Sequence, residues 1–243
     1  MRVPSTLEFI EAWDRASPEA PAHRAVALLA LASLGESADD LTELPLGERE
    51  RRLLSLRAAA FGPRLTGLVD CEACGEPLEL DIGVDDILAT VSSPEPGELT
   101  IEVDGYHISL RLPDSRDMLA AASVPGPQAA GLLLRRCVTK AERSGAAVDA
   151  GDLPVAAVAV AGEAIGAADP LADLTFDLCC VACSHAWRAP FDTAQFLWGE
   201  LDAWASRILR EVHALAVAYG WAERDILTMS AVRRSRYLQL VEG

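Results

Sequence analysis

The chain is poor in positive charge: 21 basic residues stand against 37 acidic ones, for a formal net charge of −16, and Lys140 is the single lysine. That balance argues against bulk nucleic-acid binding, where neutralising phosphates supplies much of the affinity. The acidic excess favours solubility and fits a partner with basic patches. Aromatic residues are scarce as well, with five Phe and three Tyr in 243 residues. Alanine and leucine dominate instead, a mix that favours helices over sheets. The longest apolar runs, such as Ala25–Leu31 and Val155–Ala161, are too short to span a bilayer. Residues 1–16 carry acids where a secretion leader needs an apolar stretch. A cytoplasmic protein without membrane insertion is expected, alone or within an assembled particle. There is no Walker A motif, no GxGxxG after a strand, no GxSxG and no HExxH. His23, His107, His185 and His213 are scattered, and Asp39-Asp40 and Asp85-Asp86 suit helix N-termini better than acid–base chemistry. No enzyme is expected.

What is present is a run of helical patterns around a small β element. Thr6–Ala16, Ala22–Leu34 and Leu46–Phe61 read as helices, the second opened by Pro21 and the third stopped by Gly62-Pro63. Leu65–Ile82 alternates like a strand pair around Cys71-Glu-Ala-Cys74-Gly75. Leu99–Leu112 carries a hairpin signal centred on Asp104-Gly105, and Ser92–Gly97 reads as a linker. Ser115–Ala122 and Gln128–Thr139 read as helices, Lys140–Asp152 as a loop, and Leu153–Ala168 as an Ala/Val helix buried on most sides. Leu174–Leu178 and Ala186–Phe191 form a strand pair around the second cysteine cluster. Ala194–Tyr219, Ala222–Met229 and Ala231–Val241 complete the helices. The expected organisation is one discontinuous domain over 1–243. Its parts are N-terminal helices (1–64), a first knuckle and hairpin (65–112), a helical insertion (113–170), a second knuckle (171–191), and a long helix with an Arg-rich end (192–243).

Six cysteines in a chain without a secretion leader argue for metal rather than disulfides. Cys71-x-x-Cys74 and Cys180-x-x-Cys183 have the spacing at which one turn presents two thiolates to a metal, each roughly 2.3 Å from zinc. Two such turns make a closed, four-sulfur structural site. A redox pair, unlinked thiols, or three cysteines with His185 are the alternatives. The pairs lie about a hundred residues apart, so a shared ion would close a long loop, an effect of roughly 4–5 kcal/mol on the disulfide analogy. Cys179 and Cys183 have the wrong gap, so Cys179 should face away and pack, while Cys137 reads as a buried core thiol.

The long helix bears a stripe of Leu197, Leu201, Trp204, Ile208, Val212, Leu215 and Tyr219, which reads first as core-facing. Trp198, Trp204 and Trp221 are the candidate partner anchors, together with Arg233, Arg234, Arg236 and Tyr237 at the basic end.

Four pieces together resemble the T4-type baseplate proteins of contractile phage tails and contractile injection systems. They are RRLLSLRAAAFGPR, CEACGEPLELD, the segment FDLCCVACSHAWRAPFDTAQFLWGELDAWASRILREVHALAVAYGW, and DILTMSAVRRSRYLQLV. The resemblance implies a baseplate hub or hub-assembly component without enzymatic activity, with hub, spike, tube or tape-measure proteins as partners. It makes Cys71, Cys74, Cys180 and Cys183 zinc ligands. The expected fold is α+β, mainly helical, with a small zinc-ribbon-like β element formed by the two distant knuckles. The rival readings are a zinc-ribbon adaptor in transcription or RNA handling, which needs a basic face near the knuckles, and a CxxC thiol oxidoreductase, which needs a low-pKa cysteine at a helix N-terminus.

Overall fold

The computed structural model describes residues 2–33, 35–91 and 97–242; all of the expected linker Ser92–Gly97 except Gly97 lies outside them. The chain is mainly helical with small antiparallel sheets, the expected α+β class. In order, it runs through α1 (Thr6–Ala16), α2 (Pro21–Ala32), α3 (Ala38–Thr42), α4 (Leu46–Phe61), β1 (Arg64–Asp70), β2 (Pro77–Gly83) and α5 (Val84–Thr90). There follow β3 (Leu99–Val103), β4 (Tyr106–Leu110), α6 (Ser115–Ala122), α7 (Gly126–Cys137), β5 (Val138–Arg143), β6 (Ala146–Ala147) and α8 (Val155–Ala168). The last elements are β7 (Thr175–Cys179), β8 (Ala186–Pro190), α9 (Thr193–Tyr219), α10 (Glu223–Leu227) and α11 (Ala231–Glu242). These fall into two compact units, one made of Met1–Glu36 with Ala194–Gly243, the other of Ser37–Thr193.

In the two-ended unit, Ser5 caps α1 through a reciprocal bond with Glu8. Its core gathers Ile10 with Ala205, Ile208, Val212 and Leu215 of α9 and with Ile226 and Leu227 of α10. The stripe on α9 is thus chiefly a core face, burial being what holds a long helix in place.

The unit 37–193 contains all eight strands of the described residues. Asp104 and Gly105, both at positive φ (51° and 77°), make the tight turn between β3 and β4 that their sequence announces. The segment 140–152, expected to be a loop, instead supplies most of β5 and all of β6, which extend that hairpin into a four-stranded sheet. Its polarity misleads because β5 buries little besides Ala141. α8 also departs from expectation. It buries a single stripe, Ala157, Ala161 and Ile165, against Ile108 and Leu110 of β4, and leaves Val155 86% exposed. Alanines on all sides make the helix look uniformly apolar, so hydropathy does not reveal which face is covered.

The N-terminus of α4 has no side-chain cap of its own, since Pro45 stands at the capping position. Asp169, 122 residues away, takes that role. Its Oδ2 accepts from the Gly47 N–H at 2.8 Å, while Leu46 N–H donates to the Pro113 carbonyl at 3.0 Å. Asp169 is 1% exposed, and its burial holds its carboxyl above the usual range. The approach requires glycine, because a Cβ on residue 47 would sit 1.7 Å from Asp169 Oδ1. Gly47→Ala therefore displaces the Asp169 carboxylate and breaks its bond to the residue-47 N–H. Asp169→Ala strands a buried N–H, which costs about 1–3 kcal/mol. Both variants should lower the urea midpoint, with Gly47→Ala at least as severe.

Candidate metal centre

The two knuckles are near-copies in backbone terms. The β1–β2 register ends at Asp70↔Pro77 and the β7–β8 register at Cys179↔Ala186, so each CxxC lies at the same step of its hairpin. In the first, Cys71 N–H donates to the Glu76 carbonyl at 2.9 Å and Gly75 N–H to the Cys71 carbonyl at 2.8 Å. In the second, Cys180 N–H donates to His185 at 2.8 Å and Ser184 N–H to Cys180 at 2.9 Å. The residue after each pair is left-handed: Gly75 at φ 74° and Ser184 at φ 59°. A serine pays for that conformation where a glycine does not.

The turns bring Cys71, Cys74, Cys180 and Cys183 together, with all four sulfurs within 4.8 Å of one another. Cys71 Sγ lies 3.7 Å from Cys183 Sγ, and Cys74 Sγ lies 3.7 Å from Cys180 Sγ. The two contacts correspond when the knuckles are matched residue by residue, Cys71 with Cys180 and Cys74 with Cys183. At a metal–sulfur distance of roughly 2.3 Å, the edge of a sulfur tetrahedron is about 3.8 Å. The observed contacts match that edge and far exceed a disulfide's ~2.05 Å. The donor set and spacing therefore fit one ion at the centre of the cluster. Cys71 and Cys180 are buried, and Cys74 and Cys183 are exposed.

The local field divides the thiols. The Cys180 thiol is drawn down to about 7, chiefly by the backbone N–H of Cys183. Cys74 also receives a backbone N–H, from Glu76, yet the sulfurs of Cys183, Cys180 and Cys71, together with burial, push it up to about 12. Cys183 is likewise raised. Four sulfurs this close resist shedding all their protons, and a bound cation removes that opposition. His185 instead stacks on Trp187 at 5.7 Å, and the four-residue cluster does not include it.

Cys137 is fully buried, as expected, and its thiol is pushed up to about 11, mainly by burial. Cys179 stands outside the cluster but is exposed rather than packed; its two-stranded hairpin leaves that position open. The candidate partner residues are only partly available. Trp204 packs edge-on against Phe9, Arg24 covers the Trp198 ring, and Trp221 lies between Tyr219 and Tyr237. Arg234 is buried and ion-paired with Glu211 at 2.7 Å, so it grips its own chain rather than a neighbour. Arg233 and Arg236 remain exposed.

A charged cluster in the same unit has no sequence signature. The Asp117 carboxylate, 0% exposed, accepts from Arg111 at 2.6 and 2.9 Å, from Arg136 Nε at 2.8 Å and from the Asp114 N–H at 3.0 Å. Burial alone would raise its pKa, but Arg111, the Asp114 N–H and Arg136 outweigh it and hold the group down at about 2. The cluster ties the end of β4 to α6 and α7, and reads as structural.

The fold and the site define a mainly helical α+β protein in which four thiols from distant segments converge at one point. Residues 30–186 match the family described as T4 bacteriophage base plate protein, and the chain belongs to that family. The match spans both knuckles and stops before α9, so the C-terminal pieces of the resemblance lie beyond it. No curated protein and no solved structure matches the chain.

Two predictions follow from this geometry. Nothing lies within 4 Å of a Cβ on Gly75, so Gly75→Ala carries a purely conformational cost of about 1–2 kcal/mol, whereas Ser184→Gly should be neutral or stabilising. Urea unfolding of both variants measures the difference. Asp117 has a folded pKa of about 2 against an ordinary 3.8, so its contribution is present above pH 4 and fades as pH falls towards 2. Asp117→Asn should thus be destabilised by on the order of 2 kcal/mol at neutral pH, with the gap to wild type narrowing below pH 4.

Proposed function

We propose that the protein is a structural, non-enzymatic baseplate or baseplate-assembly component of a phage tail-like contractile injection system, and that Cys71, Cys74, Cys180 and Cys183 hold one structural zinc ion. The observation that supports zinc most directly is the pair of 3.7 Å sulfur contacts across the two hairpins. An all-sulfur tetrahedron suits zinc or an iron–sulfur cluster. A set with no open position for substrate suits a structural ion. The ion fixes two segments about a hundred residues apart, and the partners are other baseplate or tail proteins such as hub, spike, tube or tape measure. The helical stretch 113–170 is read as an insertion between the two halves of the centre.

Local charge favours this reading over a nucleic-acid adaptor. The first knuckle is flanked by Asp70, Glu72, Glu76, Glu79 and Asp81. It is favoured over an oxidoreductase because both CxxC pairs sit in hairpin turns rather than at a helix N-terminus, and because Cys180, the thiol drawn down by the Cys183 N–H, packs against Cys74 of the other turn within the four-sulfur cluster.

Purified protein should contain one zinc per chain by elemental analysis. Cys71→Ala or Cys180→Ala should abolish stoichiometric metal and cost roughly 4–5 kcal/mol by opening the long loop. Cys179→Ser should retain the metal. Protein without stoichiometric metal, or a thiol that alkylates rapidly while metal stays bound, would defeat the zinc assignment. Co-purification of the untagged chain with a baseplate or tail protein tests the assembly role.

A further inference from the structure

Within the unit of residues 1–36 and 194–243, helices α1, α9 and α10 enclose an open groove of about 470 Å³. Its floor is apolar. Ile10 and Leu227 are buried there, while Leu7, Trp13 and Leu209 are only half-covered. Its rim is acidic: Glu11 and Asp14 come from α1 and Glu223 from α10, all exposed, against a single Arg224. No carboxylate of the three joins an ion pair among the described residues, whereas Arg2–Glu8, at the start of the same unit, do pair.

The spacing of these residues has a physical meaning. Leu7, Ile10, Glu11 and Asp14 fall at steps of three, one and three, so they share one face of α1. A helix face that keeps leucine, isoleucine and two uncompensated acids beside a cavity is built differently from a solvated face. Half-covered apolar groups in such a groove gain by excluding water. The three carboxylates outnumber Arg224, so the rim is net acidic, and the chain's charge of −16 favours the approach of cations.

We propose that this groove docks a basic amphipathic helical segment of a partner protein, with aliphatic side chains at helical spacing entering between Leu7 and Leu209, and arginine or lysine flanking them to meet Glu11, Asp14 and Glu223. Charge decides the occupant. A second copy of this acidic chain would bring like charge to an acidic rim, and a neutral ligand would leave the three carboxylates without partners. The recognition mode is helix-in-groove, with apolar anchors setting position and charge setting partner choice. It is independent of the cysteine centre, whose residues lie in the other unit.

The test uses the full-length protein and a fluorescein-labelled helical peptide carrying leucine at steps of three and four with arginine flanking, followed by fluorescence anisotropy. Saturable binding is expected, weakening at least tenfold between low and moderate salt. Glu11→Lys/Asp14→Lys/Glu223→Lys should weaken it at least tenfold at fixed salt. Asp39→Lys/Glu102→Lys/Glu163→Lys, with the same total charge change at residues that do not line the groove, should weaken it much less. A peptide with glutamate in place of arginine should not bind. Equal losses in the two triple variants would reduce the effect to bulk charge and overturn the proposal, as would no saturable binding to wild type. Concentration-dependent dimerisation in sedimentation that the groove variant abolishes would assign the groove to a second copy instead. Circular dichroism of both variants guards against misfolding, and zinc content, read in parallel, separates failure here from failure of the metal assignment.

Discussion

Two hairpin turns that meet sulfur to sulfur set the frame for the unit 37–193. The chain between Gly75 and Cys180 leaves one point and must return to it, carrying a four-stranded sheet and the four helices α5 to α8 on the way. Sulfur contacts of 3.7 Å tolerate little error in that return. The other long-range ties of the unit work to the same end. Asp169 reaches back to Gly47 shortly before the second knuckle begins, and Arg111 and Arg136 draw β4 and α7 onto Asp117. Each joins residues whose separation in sequence would otherwise leave them uncorrelated.

The four-cysteine cluster was the most legible part of the sequence because its chemistry is local. Two thiols in a CxxC turn are specified by four residues, and the hairpin signals on either side place the turn. Asp104-Gly105 was equally plain, since few residue pairs tolerate two consecutive positive φ angles. The helices from Thr6, Leu46 and Ala194 were readable from period and stop signals. What sequence did not disclose was what depends on the far side of a contact. β5 looks like a polar loop because its exposed face supplies most of its residues. α3 is five residues long, too short to show periodicity. The covered face of α8 is hard to see when alanine and valine make up most of the helix and Glu163 is its one charged residue.

The charged residues show the same limit more sharply. Arg234 has the look of a free basic tail residue, yet Glu211 on α9 claims it and it is buried. Asp117 sits in an ordinary helix start, and nothing in its neighbourhood announces that Arg136 will join Arg111 on it. Local composition marks a residue as charged; only the fold decides whether that charge addresses solvent, a partner or its own chain.

The near-identity of the two hairpins has a further consequence for how the centre assembles. On the proposed zinc reading, each CxxC turn would be a half-site able to take up a cation alone, and the closed site would need the second pair to find the first across the intervening chain. The effective concentration of one half-site at the other falls with the length of that tether. Scarce metal would then leave one half-site loaded and the other free to join it, whereas abundant metal would load both and each would block the other's closure. Under that proposal, the supply of ions during synthesis would bear on folding yield in a non-monotonic way, best at an intermediate level.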